Sequence, residues 1–349
     1  LSRIDQEEAL HVYENADLFE LGERAFRQRL AKSDPEVVTY VVDRNINYSN
    51  VCVTPCRFCA FFRPPRHEEG YVLSDETIDR KIDELGALGG SQVLLQGGLH
   101  PDLPFSYYTN LIARLKEKYP HINIHGFSPP EIVHFAHLTG FSLEEVLEEL
   151  WDAGQRSLPG GGAEILSDRV RKKLSPTKCT SQEWLDVMET AHNLGYRTSA
   201  TMMFGHIETL EERVEHLEKL RQLQDRTGGF TAFICWPIQS DNTPMAGMRV
   251  GPYEYLRTMA LARVYLDNFS HVQASWVTMG EKIGQLALKF GADDMGGTMM
   301  EENVVSSAAC THRTNEPQLR RLIREAGFAP QRRNTFYERL ENPVEVSAP

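Results

Sequence analysis

Two hydrophobic periods take turns along this chain. Short apolar or β-branched runs read as strands: SQVLLQGG from residue 91, INIHGF from 122, YRTSATMMFG from 196, TAFICWPIQ from 231 and HVQASW from 271. Between them, apolar residues recur every three or four positions in DETIDRKIDELGALG, FSYYTNLIARLKEKY, SLEEVLEELWDAG, QEWLDVMETAHNLG and ETLEERVEHLEKLRQLQ, the pattern of amphipathic helices. Capping boxes mark two helix starts, Ser142 with Glu145 and Thr180 with Glu183. Gly86, Gly154 and Gly195 stand where C-terminal caps are expected. The charged, helix-patterned opening leads into VVTYVVDRNINYSN, the first strand region.

Strand, loop and helix, repeated roughly six to eight times over about 250 residues, describe a parallel sheet with helical crossovers. A doubly wound sheet and a barrel both satisfy that order. The polar and glycine-rich stretches decide between them. QGGLHP, GFSPPE, PGGGAE, FGHIET and QSDNTP each follow a strand, and strand C-terminal ends are where a barrel keeps its site. The expectation is an α/β chain forming a (β/α) TIM-type barrel. A helical N-terminal extension covers 1–36, the barrel core 37–290, and a C-terminal closure and extension 291–349.

The net charge of −12 leaves no basic field for nucleic acid. No apolar stretch approaches the ~18 residues of a membrane helix, and LSRIDQEEAL lacks the basic-then-apolar pattern of a signal peptide. A cytoplasmic chain acting on a small molecule, with neither nucleic acid nor membrane as partner, is expected.

Three of the six cysteines crowd into NVCVTPCRFCAFFRPP, as Cys52, Cys56 and Cys59. Thiolates at this density bind soft metal in a reducing compartment. A structural zinc site uses four ligands, usually as two pairs; three thiols on one loop suit a four-iron cluster with one iron left open. PCRFC and the later His206-Ile207-Glu208 match the two halves of the zinc deaminase signature. Their order is reversed, and Cys52 would have no role. Cys179, Cys235 and Cys310 are isolated, and Cys235 lies inside an apolar strand.

The C-x3-C-x2-C spacing with Phe58 before the last cysteine resembles the radical S-adenosylmethionine enzymes. With RNINYSNVCVTPCRFCAFFRPP, LLQGGLHPDLPFSYY, GFSPPEI, LPGGGAEIL and TGGFTAFICWPIQSDNTP, the chain is similar to the cyclic dehypoxanthinyl futalosine synthase family from about Val37 to Phe328. The resemblance implies a [4Fe-4S] cluster on Cys52, Cys56 and Cys59, and S-adenosyl-L-methionine on the open iron. It also implies a small nucleoside-derived substrate and an electron donor such as flavodoxin or ferredoxin. In that family a 5′-deoxyadenosyl radical takes the C4′ hydrogen of dehypoxanthine futalosine. The carbon radical then closes onto the benzoate ring, in menaquinone biosynthesis. Aminofutalosine synthase and the deazaflavin-synthesis enzymes share the cysteine loop.

The same resemblance assigns Phe58, Gln96, Gly97 and Gly98 to the cofactor, with Gln96 to Gly98 at its methionine ammonium. Ser128 and Glu164 are comparable polar groups after later strands, for a ribose hydroxyl or the ammonium. For the proton that leaves the ring, His100, His206, Glu208 and Asp294 are candidate bases, and His206 is the expected catalytic one because imidazole titrates near neutral pH. Glu208 reads equally as a helix-start residue. Asp293-Asp294 and Glu301-Glu302 read as acids of a solvated turn after the last strand.

Overall fold

The computed structural model describes residues 3–343. Its first strands are β1 (Val37–Val41), β2 (Asp43–Ile46), β3 (Gln92–Leu95), β4 (Asn123–Gly126) and β5 (Ser157–Leu158). The later ones are β6 (Arg197–Phe204), β7 (Phe230–Pro237), β8 (His271–Gln273), β9 (Asp294–Gly297) and β10 (Ala329–Arg332). Helices α1 (Gln6–Asn15) and α2 (Leu18–Lys32) precede them. Next come α3 (Asp75–Ala87), α4 (Phe105–Lys118), α5 (Pro129–Thr139), α6 (Leu143–Asp152), α7 (Asp168–Leu174) and α8 (Ser181–Asn193). The last are α9 (Leu210–Thr227), α10 (Pro252–Tyr265), α11 (Trp276–Met279), α12 (Glu281–Ala287), α13 (Val304–Ser307) and α14 (Glu316–Glu325).

All strand pairs are parallel, in the order β10-β1-β9-β8-β7-β6-β5-β4-β3-β2. β1 and β2 are one run interrupted at Val42. β1 pairs with β9 and β10 while β2 pairs with β3, so the chain itself carries the sheet round from its last strands to its first. At the join, the Val41 carbonyl accepts from Thr298 N and the Val42 carbonyl from Ser91 N. The expected TIM-type (β/α) architecture is what forms. Alternate residues of the strands face inward, such as Asp43 and Asn45 on β2 and Ser199, Thr201 and Met203 on β6, as the two-residue period of a strand requires. Val93, Leu95 and Ile124 point the other way and are buried under the helices. No described helix is long and apolar enough to cross a membrane.

Several expectations shift. HVQASW ends as a strand at Gln273, because Ser275 caps α11 and the Trp276 indole donates to the Gly297 carbonyl. Gly86 lies inside α3, and Gly89, at φ +67°, makes the turn that follows. Gly154 and Gly195 do stand just past α6 and α8, in the left-handed region. Residues 294–297, read as a solvated turn, are the buried strand β9, and Asp294 pairs with Arg333 at 2.6 Å. α10 is buried on all sides from Tyr255 to Tyr265 and packs against α2.

Three histidines are locked into this frame. His125 meets Ser157 Oγ at 2.9 Å, His192 meets Thr227 Oγ1 and Thr198 Oγ1 at 2.7 Å each, and His216 Nδ1 accepts from Leu166 N at 3.0 Å. Burial pushes them down to about 3, 4 and 3 respectively. Unfolded, each takes up a proton near pH 6.5. Their stabilising effect is therefore complete above that pH and is lost as pH falls, by about 1.4 kcal/mol per unit for each. Asp43, pushed up to about 6 by its burial, binds its proton in the native state first and offsets about one of the three below pH 6. The urea midpoint should therefore fall between pH 7 and pH 5, and fall less steeply in His216→Gln. Equal midpoints at the two pH values would contradict this balance.

Candidate active site

A cavity of about 450 Å³ is lined by the inward strand residues and by the loops that follow the strands. Cys52, Cys56 and Cys59 all face it, with Phe58 beside them. Their loop is pinned to its surroundings. Cys52 N donates to the Arg63 carbonyl at 2.9 Å, Arg57 N to the Leu174 carbonyl at 2.8 Å, and Cys59 N turns back to Cys56 O at 3.1 Å. Cys52 Sγ accepts from Thr54 N at 3.4 Å and Leu99 N at 3.3 Å. Burial pushes the Cys59 thiol up to about 11 and the Cys52 thiol up as well, so thiolates here call for a cation to hold them. Among the described residues no three His, Cys, Asp or Glu side chains are gathered closely enough for a single metal ion. Three thiols presented by one loop suit a cluster, in which each thiolate takes a different iron. Cys179, Cys235 and Cys310 are buried and do not line the cavity.

The glycine loop after β3 packs directly on the cysteine loop. A Cβ on Gly97 would lie 2.4 Å from the Tyr48 ring, and one on Gly98 would lie 2.2 Å from the Val51 carbonyl and 2.9 Å from Cys52 Cβ. Both glycines line the cavity, and the space a side chain would need is filled by this chain's own backbone and ring. Gln96 lines the cavity, its amide turned toward Gly161.

Glu131 ties these loops together, and the sequence reading passed over it. It is 2% exposed and accepts from Tyr48 Oη at 2.7 Å, Gly97 N at 3.1 Å, Ser128 N at 2.7 Å and Ser128 Oγ at 2.6 Å. Burial raises its pKa against the pull of those donors. The signal was available, since Ser128-Pro-Pro-Glu131 is a capping box. Ser128 lines the cavity as expected, with its hydroxyl proton given to Glu131.

Glu164 also faces the cavity, on a backbone held at φ +40°. That region is costly for a residue with a side chain and is kept where the surroundings demand it. Its Oε1 accepts from Lys178 Nζ at 2.7 Å, while Oε2 is buried without a hydrogen-bond partner. Lys178, which no motif marked, lies 5.4 Å from the Phe58 ring centre. Burial works against its charge, yet Cys56 and Glu164 beside it hold the ammonium above its ordinary range. A partnerless carboxylate oxygen on a residue that lines the cavity of the three thiols suits an ammonium or a hydroxyl of a bound cofactor.

The candidate bases are not brought together. His206 does not line the cavity; its side chain is fully buried, with Nε2 2.9 Å from Met203 O and Nδ1 2.8 Å from both Ile207 N and Glu208 Oε2. With both nitrogens occupied, the geometry gives it no access to a reacting proton. Glu208 accepts from Gly205 N at 2.5 Å, His206 N at 2.9 Å and Arg213 Nε at 2.8 Å. Burial would raise this carboxyl, but the side-chain contact with His206 Nδ1 and the Arg213 charge outweigh it and hold it down at about 2. It is a turn-holding residue. His100 lies outside the cavity, its Nδ1 accepting from Asp102 N. Asp294 is consumed by Arg333, and Glu302 caps α13 through the N–H groups of Val304, Val305 and Ser306.

Residues 46–220 match the Radical SAM superfamily and residues 227–346 match the CofH/MqnC C-terminal region. The chain is 46% identical, over 96% of its length, to the cyclic dehypoxanthine futalosine synthase of Halalkalibacterium halodurans, covering 91% of that protein. It is 42% identical, over 93% of its length, to the 5-amino-6-(D-ribitylamino)uracil--L-tyrosine 4-hydroxyphenyl transferase of Methanopyrus kandleri, covering 89% of it. The crystal structure of methylornithine synthase matches over 94% of both chains with a TM-score of 0.75 at 18% identity, a likeness of fold. The superfamily uses a [4Fe-4S] cluster and S-adenosylmethionine, and the three-thiol loop of this barrel has the donor set for the first. The chain belongs to the radical S-adenosylmethionine superfamily.

Proposed function

We propose that this chain converts dehypoxanthine futalosine to its cyclic form, a step of the futalosine route to menaquinone. The observation that carries the reading is 46% identity over 96% of the chain to a synthase of that name, in a protein whose three clustered thiols face one cavity. When bound, the cluster and S-adenosylmethionine supply a 5′-deoxyadenosyl radical that takes the C4′ hydrogen, after which the substrate closes onto its own benzoate ring with loss of an electron and a proton. An electron donor of the flavodoxin or ferredoxin kind feeds the first step.

The chain's own residues position these partners. Cys52, Cys56 and Cys59 would hold the cluster, one iron each, and Lys178, 5.4 Å from the Phe58 ring centre, would offset the thiolate charge. Gln96, Gly97 and Gly98 present backbone to the methionine end of the cofactor, stiffened by Glu131. Glu164 Oε2 accepts from the cofactor ammonium or from a ribose hydroxyl, and Ser128 contributes its lone pairs nearby. His206 has no part in the chemistry of this reading; it braces the turn after β6.

A second reading, transfer of the tyrosine side chain to a ribitylaminouracil, is favoured by the 42% identity to the archaeal transferase. Anaerobic assays with both substrate sets separate the two. With substrate deuterated at C4′, deuterium should appear in 5′-deoxyadenosine and cyclised product should accumulate in step with it. A hydroxyphenyl adduct from tyrosine, with no label transfer, would support the transferase instead.

Changing Cys52, Cys56 or Cys59 to Ala should abolish the brown cluster and all cleavage of S-adenosylmethionine, measured as iron, sulfide and 5′-deoxyadenosine per chain. Cys179→Ala, Cys235→Ala and Cys310→Ala should retain both. Loss of the cluster in Cys310→Ala to the extent seen in Cys56→Ala would refute the three-ligand arrangement.

Glu164→Gln keeps the shape beside Lys178 while removing the charge. It should weaken S-adenosylmethionine binding about tenfold to a hundredfold, the worth of a hydrogen bond to a charged group, with iron content unchanged. Gly98→Val should instead lower iron content, because its side chain would displace the Val51–Cys52 backbone. A Gly98→Val protein with full iron and a normal cofactor titration would contradict the packing just described.

A further inference from the structure

The lower part of the cavity holds polar groups that the reading above does not use. Asn45 faces the cavity from β2, is 4% exposed, and its Oδ1 has no hydrogen-bond partner among the described residues. The asparagines beyond it are committed. Asn47 donates to Gln96 O and accepts from Asn303 Nδ2, while Asn50 donates to Glu69 O and accepts from Tyr71 N. Asp43, two residues before Asn45 on the same face, is 3% exposed and lines the same cavity. Its Oδ1 accepts from Met299 N at 2.9 Å, but Oδ2 has only a 3.3 Å contact from Gln92 Nε2. Gly297 leaves room for this carboxylate: a Cβ there would come within 2.2 Å of Oδ1.

Tyr337 supplies the third group, from the segment after β10. Its hydroxyl is buried and partnerless among the described residues, and the residue lines the cavity. Its ring is stacked on His271 at 3.9 Å and 7°, and the Arg333 guanidinium lies 3.9 Å from the ring centre. Its backbone stands at φ +64°, a conformation an aromatic residue keeps only where its surroundings impose it.

We propose that Asp43, Asn45 and Tyr337 form a subsite that binds the hydroxyl groups of the substrate's sugar, an inference that rests on the cyclase reading above. The chemistry discriminates between the two ends of such a substrate. An amide oxygen and a carboxylate oxygen are acceptors and are satisfied only by a donor. A sugar hydroxyl donates; an ionised benzoate carboxylate does not. Among the described residues the floor also offers a carboxylate no free cation, since Arg333 spends Nε and Nη2 on Asp294 and Nη1 on the Asn334 carbonyl. The Tyr337 hydroxyl both donates and accepts, which completes a match to neighbouring hydroxyls. The sugar therefore sits deep, and the benzoate carboxylate is directed away from this floor.

The test is substrate binding to the cluster-loaded enzyme without S-adenosylmethionine, by equilibrium dialysis. The probes are dehypoxanthine futalosine, its 2′-deoxy and 3′-deoxy analogues, and an analogue with phenyl in place of benzoate. Wild type should lose about threefold to tenfold in affinity where the lost hydroxyl met Asn45 or Tyr337, and about tenfold to a hundredfold where it met the Asp43 carboxylate. In Asn45→Leu or Tyr337→Phe, at least one of those losses should vanish, while removal of the carboxylate should cost the same factor in every protein. Tyr337→Phe keeps the ring and its stacking, so iron content and thermal midpoint should stay at wild-type values. Deoxy penalties unchanged in both variants, or a carboxylate penalty that disappears in them, would overturn the subsite. A wild-type enzyme that binds no dehypoxanthine futalosine would instead strike the cyclase reading itself.

Discussion

Glu131 is the residue on which the upper half of the barrel depends. One buried carboxylate takes four donors from three loops: the Tyr48 hydroxyl after β2, the Gly97 amide after β3, and the Ser128 amide and hydroxyl after β4. Its place in the first turn of α5 adds the favourable end of the helix dipole. A buried carboxylate is tolerable only with its lone pairs filled, and here the filling is what sets the spacing of the loops. Because the Gly97–Gly98 backbone in turn presses on Tyr48 and Val51, the thiols and the cofactor-facing backbone form a single packed body. Neither can be moved without the other.

The charges around that body are arranged to suit thiolates. Cys52 Sγ has two backbone N–H donors, and Lys178 lies close enough to Cys56 for its charge to be felt there. Glu164 balances the lysine with one oxygen and keeps the other free. Below this level the cavity changes character. Its titratable groups there are Asp43, His125, Arg333 and Tyr337, away from the three thiols. The two halves answer to different demands, metal above and organic substrate beneath.

The sequence revealed what is periodic or locally spaced. The cysteine loop, the strand–helix alternation and the glycine loop after β3 could all be read from adjacent residues, because the chemistry needs those residues close in the chain. What escaped reading depends on distant partners. Lys178 is 14 residues from Glu164 and carries no pattern, and Arg333 meets Asp294 across 39 residues. Asp43 and Asn45 looked like ordinary polar positions of an alternating strand until the fold turned that face inward. His206 misled for the opposite reason: a histidine flanked by glycine after a strand has the look of a catalytic group, yet Met203 O, Ile207 N and Glu208 Oε2 occupy both its nitrogens. The segment 291–297 misled because its acids suggest solvent, whereas ion pairing lets Asp294 sit fully buried in β9.

The pairing of β10 with β1 bears on the order in which the molecule can be assembled. Val37 lies opposite Ala329, the longest separation in sequence of any strand pair here, and β10 follows every other strand in the chain. Closing so long a loop is entropically slow. A growing chain can assemble the cysteine loop and most of the wall while Arg333, Thr335 and Tyr337 are still unmade, leaving the barrel open at its base. The metal-binding end is thus encoded early and the substrate-facing floor late, so a half-synthesised chain would present thiols before it had a chamber to enclose what they activate.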